Sequence, residues 1–159
     1  VVYVSISDKL LFNSGSFTVT TRARGVLEKI AKVISDKPDL EFMVEGHTDN
    51  MPIDQEKAAE SIPGVADNWD LSVKRATSVV RILQNSYGVD PTKLVAAGRS
   101  FYMPIADNDS SVTRAANRRT RIIVLPKLDQ FTKLIEEGMS MDVPATGPSD
   151  TISSDSMPD

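Results

Sequence analysis

The sequence predicts an α+β domain in which helices cover one face of a mixed β-sheet, forming a two-layer sandwich. Short segments with alternating apolar and polar residues are typical of strands. Two longer segments repeat apolar residues every three or four positions, which is typical of amphipathic helices. The segments follow one another in the order β-α-β-α-β-β. Elements in this order can bury their apolar sides against each other in two layers.

The first part of the chain supplies a strand, a helix and a second strand. In Val1–Ser7, aliphatic residues occupy every second position, so one side of this strand is expected to be buried. The segment from about Thr20 to Ser35 repeats apolar residues at helical spacing. Pro38 ends this helix, because proline cannot continue it. Leu40–His47 is the second predicted strand.

The second part of the chain supplies a helix and two further strands. A long polar loop is predicted over Met51–Asp67, and the second helix runs from about Asp70 to Ser86. The predicted strands are Lys93–Gly98 and Arg119–Leu125, separated by a loop over Arg99–Thr113 that is rich in Asp, Asn and Ser. The aliphatic run in the last strand favours a central, buried position in the sheet.

The composition predicts one folded domain over residues 1–138, including a short terminal helix, and a disordered acidic tail over residues 139–159. The tail is rich in Ser, Asp and Pro and cannot bury enough apolar surface to offset its ordering entropy. The net charge is −4, and four of the acids lie in this tail. The rest of the chain is neutral, so it lacks the basic field of a nucleic-acid-binding protein.

Several kinds of site are excluded by the residue counts. The chain has no cysteine and one histidine, so disulfides, thiolate metal sites and multi-histidine metal sites are not possible. We predict neither a metal nor a cofactor. No apolar run approaches the roughly 20 residues of a membrane-spanning helix. Because the sequence begins at Val1, we expect a membrane anchor upstream of it.

Two polar motifs flank the long loop, and we expect them to meet at one site. The first ends in Asp49, directly after a strand, and the second carries Arg75 in the early turns of a helix. A carboxylate and a guanidinium side by side suit a zwitterionic amino-acid group, because each binds the half of opposite charge. The alternative is that Asp49 and Arg75 simply pair with each other as a structural salt bridge.

The motifs resemble the signature of the OmpA/MotB-like C-terminal domain family, which includes OmpA, the peptidoglycan-associated lipoprotein and MotB. Several motifs agree in their order, which makes the resemblance more specific than any single motif. The residues that carry it are Leu11, Phe12, Gly15, Ser16, Gly46, His47, Thr48, Asp49, Asn68, Leu71, Ser72, Arg75, Ala76, Gly98, Pro104, Arg114, Asn117, Arg118 and Arg119.

The resemblance implies the same sandwich fold and a ligand, the diaminopimelate residue in the stem peptide of peptidoglycan. It implies that Asp49 and Arg75 grip this residue, whose far end carries an ammonium and a carboxylate. A lysine-type stem lacks that carboxylate and would leave Arg75 unpaired. The further candidates for ligand binding are Thr48, Asn68, Leu71, Ser72, Asn117 and Arg118.

Three functions are compatible with these motifs. We expect a non-catalytic module that tethers an envelope protein of a Gram-negative periplasm, associated with the outer membrane, to the cell wall. The first alternative is the wall-binding half of a MotB-type motility stator, which the long loop after Pro52 favours. The second is a glycoside hydrolase that acts on the wall through paired carboxylates. The type of upstream anchor would separate tether from stator, and the module could also act as a homodimer.

Three other residues have two interpretations each. His47 lacks a second histidine or a nucleophile nearby in sequence, which favours a structural or rim position over a catalytic one. Trp69 could be a platform for a sugar ring or a packing residue at the start of a helix. Asn117 and its two arginine neighbours could contact a phosphate or a carboxylate, or form a structural bridge beneath the site.

Overall fold

The protein, described here from a computed structural model over residues 2–125 and 128–139, is built on a mixed sheet with two long helices on one face. The strands are β1 (Tyr3–Ser7), β2 (Glu41–His47), β3 (Leu94–Gly98) and β4 (Arg119–Leu125). The helices are α1 (Asp8–Leu11), α2 (Thr21–Ser35), α3 (Gln55–Ser61), α4 (Asn68–Asn85), α5 (Ser111–Asn117) and α6 (Leu128–Met139), with a 3-10 turn at Pro91–Lys93.

The sheet has the strand order β1-β4-β2-β3. Strand β4 pairs antiparallel with both β1 and β2, whereas β2 and β3 are parallel. The predicted mixed sheet and the central position of the last strand are therefore confirmed. In the register, Val44 of β2 lies opposite Ile122 of β4, and both side chains are buried.

The hydrophobic core lies between the sheet and the helices α2 and α4. Both helices have an apolar stripe at the spacing that the sequence predicted, and this stripe packs on the aliphatic residues of β1, β2 and β4. Each fully buried aliphatic side chain contributes about 1.5–3 kcal/mol through removal from water. The core includes Ile6, Leu27, Ile34, Phe42, Val44, Val79, Leu83 and Ile122.

Helix α5 was not predicted, because its segment has the composition of a loop. Ser110 begins it with a capping box: its hydroxyl accepts a hydrogen bond from the backbone N–H of Thr113, whose side chain bonds back to the cap. The predicted loop over 99–113 was therefore wrong at its end. Helix α4 begins two residues earlier than predicted, because the Asp67 carboxylate caps it by accepting from the Asp70 N–H at 3.0 Å.

The chain divides into two compact units, residues 1–127 and residues 128–159. Helix α6 lies in the second unit, and its presence confirms the predicted terminal helix. The boundary after residue 138 stays a prediction. The acidic tail was predicted to be disordered, and from position 140 on it lies outside the described part of the chain. Within the described part, none of the helices has both the length and the apolarity needed to span a membrane.

Two glycines allow α4 to approach the sheet. Gly46 in β2 and Gly98 in β3 lie opposite each other in the parallel register, and both face Ser72 of α4. A Cβ atom added at Gly46 would come within 3.0 Å of the Ser72 carbonyl oxygen, closer than real Cβ atoms come to other atoms. At Gly98 it would collide with the Ser72 side chain. Any side chain at either position would push the amino end of α4 away from the sheet.

We expect Gly46→Ala to lower the free energy of unfolding by about 1–3 kcal/mol, because it overpacks this contact. The matched control is Gly25→Ala in α2, where an added Cβ meets no atom within 4 Å. That substitution should raise the free energy of unfolding by about 0.5–1 kcal/mol, because glycine in a helix interior is less stable than alanine. Urea denaturation measures both effects. Equal stability of the two variants would contradict the close contact.

Candidate functional site

A cleft of about 560 Å³ opens where β2 ends, beside the amino end of α4. Short helix α1 and the residue that follows α5 complete its walls. The cleft combines charged side chains with apolar ones, as ligand sites commonly do. Its lining includes Asp8, Phe12, Thr48, Asp49, Met51, Pro52, Ile53, Asn68, Leu71, Arg75 and Arg118.

The two motifs meet because the loop after β2 is bonded to its neighbours. The Asn68 side-chain amide donates to the backbone oxygen of Met51 at 3.0 Å and to that of Asp49 at 3.5 Å. The Thr48 N–H donates to the backbone oxygen of Ser100 at 2.9 Å. These bonds fix the backbone on both sides of Asp49, so its carboxylate has a defined direction before any ligand binds.

The carboxylate of Asp49 is paired with Arg118. Its Oδ2 lies 2.5 Å from Arg118 Nη1, and its Oδ1 accepts the backbone N–H of Met51 at 3.0 Å. The side chain of Asp49 is 11% exposed and that of Arg118 is 31% exposed. The arginine of this pair can therefore reach solvent or a ligand at the mouth of the cleft.

The guanidinium of Arg75 is paired with Asp8 and is more deeply buried. Its Nη1 lies 2.7 Å from Asp8 Oδ2, and its Nε donates to the backbone oxygen of Ser16 at 3.1 Å. Its central carbon also lies 5.1 Å from the centre of the Phe12 ring, within cation–π range. Burial lowers the pKa of Arg75, against the opposing effect of Asp8. Burial also raises the pKa of Asp8, although Arg75 and Arg118 act in the other direction.

Asp49 and Arg75 therefore line the same cleft, but they do not pair with each other as the salt-bridge alternative proposed. Asp49 pairs with Arg118, and Arg75 pairs with Asp8. No motif in the sequence indicated Asp8 as a site residue. Its position follows from the register of β1 on β4, which brings the Asp8 N–H to the backbone oxygen of Arg118 at 3.0 Å. The result is a set of two carboxylates and two guanidiniums in one cleft, which Lys9 also lines.

Two of the candidate residues lie outside this cleft. The Ser72 hydroxyl donates to the backbone oxygen of Trp69 at 2.9 Å and accepts the Ser100 N–H at 3.1 Å. The Asn117 side chain accepts the backbone N–H of Ala106 at 3.0 Å and donates to its oxygen at 2.9 Å. Both side chains are fully buried and hold the loop between β3 and α5. These contacts correspond to the structural-bridge interpretation of Asn117.

His47 lies on the face of the sheet opposite the helices, within a buried charged cluster. Its Nε2 lies 2.5 Å from Glu45 Oε1, and Glu45 is also bonded to Arg99 at 3.2 Å and lies 3.5 Å from Arg121. Burial lowers the pKa of His47, with help from Arg119 and Arg121 and against the effect of Glu45. Protonation would also place a proton on Nδ1, which is buried and has no partner among the described residues. His47 is therefore a structural residue that donates to Glu45 in its neutral form.

Comparisons with known proteins point to one family. The model of the OmpA family matches residues 11–118. Motility protein B of Bacillus subtilis is 32% identical over 124 residues, which are 78% of this chain and 45% of that protein. The chain thus spans less than half of that relative's length.

Solved structures show the same fold. The periplasmic domain of Helicobacter pylori MotB superposes with a TM-score of 0.69 and 26% identity, over 86% of this chain and 92% of that one. The cell wall anchor of the T6SS from Pseudomonas aeruginosa superposes with a TM-score of 0.65 and 34% identity, over 79% of this chain and 80% of that one.

We expect Asp8→Asn to destabilise the fold more than Asp49→Asn. Removing the charge of Asp8 leaves the buried guanidinium of Arg75 without its counter-ion, a change that typically costs about 3–5 kcal/mol. Arg118 is partly exposed and can turn to water when Asp49 is neutral. Chemical denaturation of the two isosteric variants measures the difference. Equal losses would contradict the burial of the Asp8–Arg75 pair.

The pKa of His47 predicts that stability falls as the solution becomes acidic. Because this pKa is lower in the folded protein than the usual 6.5, the contribution is complete above about pH 6.5 and is lost as the pH falls through the folded-state value. His47→Gln keeps an N–H toward Glu45 but cannot titrate. Its melting temperature should therefore fall less than that of the wild type between about pH 7.5 and 5.5. If the melting temperatures of the two proteins fall equally with pH, the titration of His47 does not contribute to stability.

Proposed function

The chain belongs to the OmpA family, and on that premise we propose that it binds peptidoglycan through the cleft at Asp49 and holds the stem peptide without cutting it. The observation that carries the proposal is the set of two carboxylates and two guanidiniums in one open cleft. The similarity to a cell wall anchor from Pseudomonas aeruginosa supports it.

Diaminopimelate suits this set of charges. Its far end carries an ammonium and a carboxylate. Asp49 can accept hydrogen bonds from the ammonium, and a guanidinium can bind the carboxylate through two hydrogen bonds. The contacts of Arg75 with Asp8 and Ser16 use Nε and Nη1, whereas a guanidinium has five N–H donors in all. Arg118 stands beside Asp49 and offers further donors at the mouth. In this arrangement the ligand replaces water and needs little rearrangement of the buried pair.

Selectivity follows from the same chemistry. A lysine-type stem offers the ammonium to Asp49 but brings no carboxylate. The desolvated arginine donors would then lose their water without gaining a partner, which costs about 1–3 kcal/mol. We therefore propose that the domain prefers diaminopimelate walls by about tenfold or more.

We propose that binding is not followed by hydrolysis. A glycosidase needs one carboxyl group that stays protonated as a general acid and a second one that acts as base or nucleophile. In this cleft, the carboxyl groups of Asp49 and Asp8 are each engaged by a guanidinium, that of Arg118 and that of Arg75, so neither is free to contact a glycosidic bond. These pairs favour binding over the hydrolase alternative.

The setting of the domain is also part of the proposal. We propose that it acts in the periplasm, as part of an envelope protein with a membrane anchor upstream and an outer-membrane association. The similarity to Motility protein B and to the MotB periplasmic domain favours a second candidate, the wall-binding half of a motility stator. A homodimer suits either setting, and the two settings use the same cleft.

The test is sedimentation of the purified protein with isolated sacculi. We expect Asp49→Ala and Arg75→Lys to weaken binding by about tenfold or more, because each removes charge-assisted hydrogen bonds to the ligand. Lysine at position 75 keeps a positive charge near Asp8, which protects the fold better than alanine would. The matched controls are Asp36→Ala and Arg22→Lys, both at exposed positions of the α2 region, and they should bind as the wild type does.

Two outcomes would overturn the proposal. If folded Asp49→Ala protein binds sacculi with wild-type affinity, the cleft does not take part in binding. If the protein binds diaminopimelate and lysine-type sacculi equally well, it does not recognise the diaminopimelate carboxylate. Thermal unfolding of each variant shows whether a loss of binding reflects a loss of fold.

A further inference from the structure

A cluster of three aromatic side chains lies beside the cleft and is open to solvent. It consists of Trp69, Phe101 and Tyr102, which we call the aromatic platform. The ring centres of Trp69 and Tyr102 are 5.4 Å apart, and those of Phe101 and Tyr102 are 4.4 Å apart. Trp69 is 48% exposed and Tyr102 is 59% exposed. About half of Trp69 and more than half of Tyr102 are therefore accessible to a ligand.

The backbone beneath the platform is held rigidly. Trp69 lies in the first turn of α4, and the other two rings follow β3. Ser72 joins these segments, because its hydroxyl bonds to the backbone of both Trp69 and Ser100. Ser100 has a positive φ of 53°, a conformation that non-glycine residues rarely adopt. The turn is thus fixed in a costly conformation that presents Phe101 and Tyr102 outward.

The platform adjoins the cleft. A second cavity of about 350 Å³ is lined by the three rings, and it shares Pro52, Ile53 and Asn68 with the cleft at Asp49. Polar side chains stand around the same cavity, namely Asn50, Gln55 and Asp67. A ligand in the cleft would therefore lie next to the rings.

We propose that the aromatic platform binds the ring face of an N-acetylated sugar in the glycan strand that carries the stem peptide. The C–H bonds on one face of a pyranose carry partial positive charge, and the faces of aromatic rings carry partial negative charge. The amide and carboxylate groups around the cavity suit the hydroxyl and acetamido groups at the sugar's edge. The inference rests on the proposed function, because the peptide in the cleft brings its own sugar close to the rings.

Trp69 is the only tryptophan in the chain, so its fluorescence reports on the platform directly. The probe is tri-N-acetylchitotriose, a peptide-free amino sugar, and the control is maltotriose, which lacks acetamido groups. We expect a saturable change in Trp69 emission with the first sugar and none with the second. Tyr102→Ala should weaken this binding about two- to twelvefold, the range expected for one aromatic contact. The exposed control Asp36→Ala should respond as the wild type does.

Sacculi provide the second readout. Trp69→Ala and Tyr102→Ala should each bind sacculi about two- to twelvefold more weakly, whereas Trp69→Phe should remain near the wild type. Circular dichroism confirms that each variant is folded. If folded Tyr102→Ala protein binds sacculi as the wild type does, the proposal that the platform binds the glycan strand is overturned.

The outcomes separate this inference from the proposed function. Loss of wall binding in Asp49→Ala, with no fluorescence response to amino sugar in the wild type, would overturn the platform and leave the stem-peptide site standing. A response to amino sugar together with full wall binding by Asp49→Ala would support the platform and remove the stem-peptide site. Emission that changes with protein concentration but not with sugar would assign the rings to self-association and overturn the inference.

Discussion

The close approach of α4 to the sheet at Gly46 and Gly98 is the contact on which the site depends. It brings Ser72 against both strands and so places the first turns of α4 directly over the end of β2. Every α4 residue in the cleft comes from these turns, and Trp69 of the platform does too. If a side chain at either glycine displaced the helix, Arg75 would move away from Asp49. The hydrogen bond of Ser72 to the turn after β3 would also break.

The cleft combines one buried ion pair with one that is partly open. A buried pair gains little net stability, because the desolvation of both ions offsets their attraction. The Asp8–Arg75 pair is therefore better understood as a means of holding a guanidinium in a fixed direction inside the protein. Arg118 remains near water, so its pairing with Asp49 can be exchanged for a ligand at a lower cost.

Local patterns made most of the fold predictable, whereas contacts between distant segments were not. Alternating and helical spacing located the four strands and both long helices, since burial on one side imposes those periods. Helix α5 was missed because capping residues such as Ser110 are also typical of loops. The resemblance placed Asp49, Arg75 and Asn68 correctly in one cleft. The partnership of Asp8 with Arg75 depends on strand register, and the inward direction of Ser72 and Asn117 depends on packing, which one sequence alone does not specify.

Strand β4 comes last among the strands along the chain and yet lies between β1 and β2 in the sheet. Until its residues are available, β1 has no partner, and β2 can pair only with β3. The closure of Tyr3 onto Ile123 spans nearly all of the first unit and carries the entropic cost of a long loop. A chain still emerging during synthesis therefore cannot complete its sheet. The domain is expected to close its sheet in one late, cooperative step.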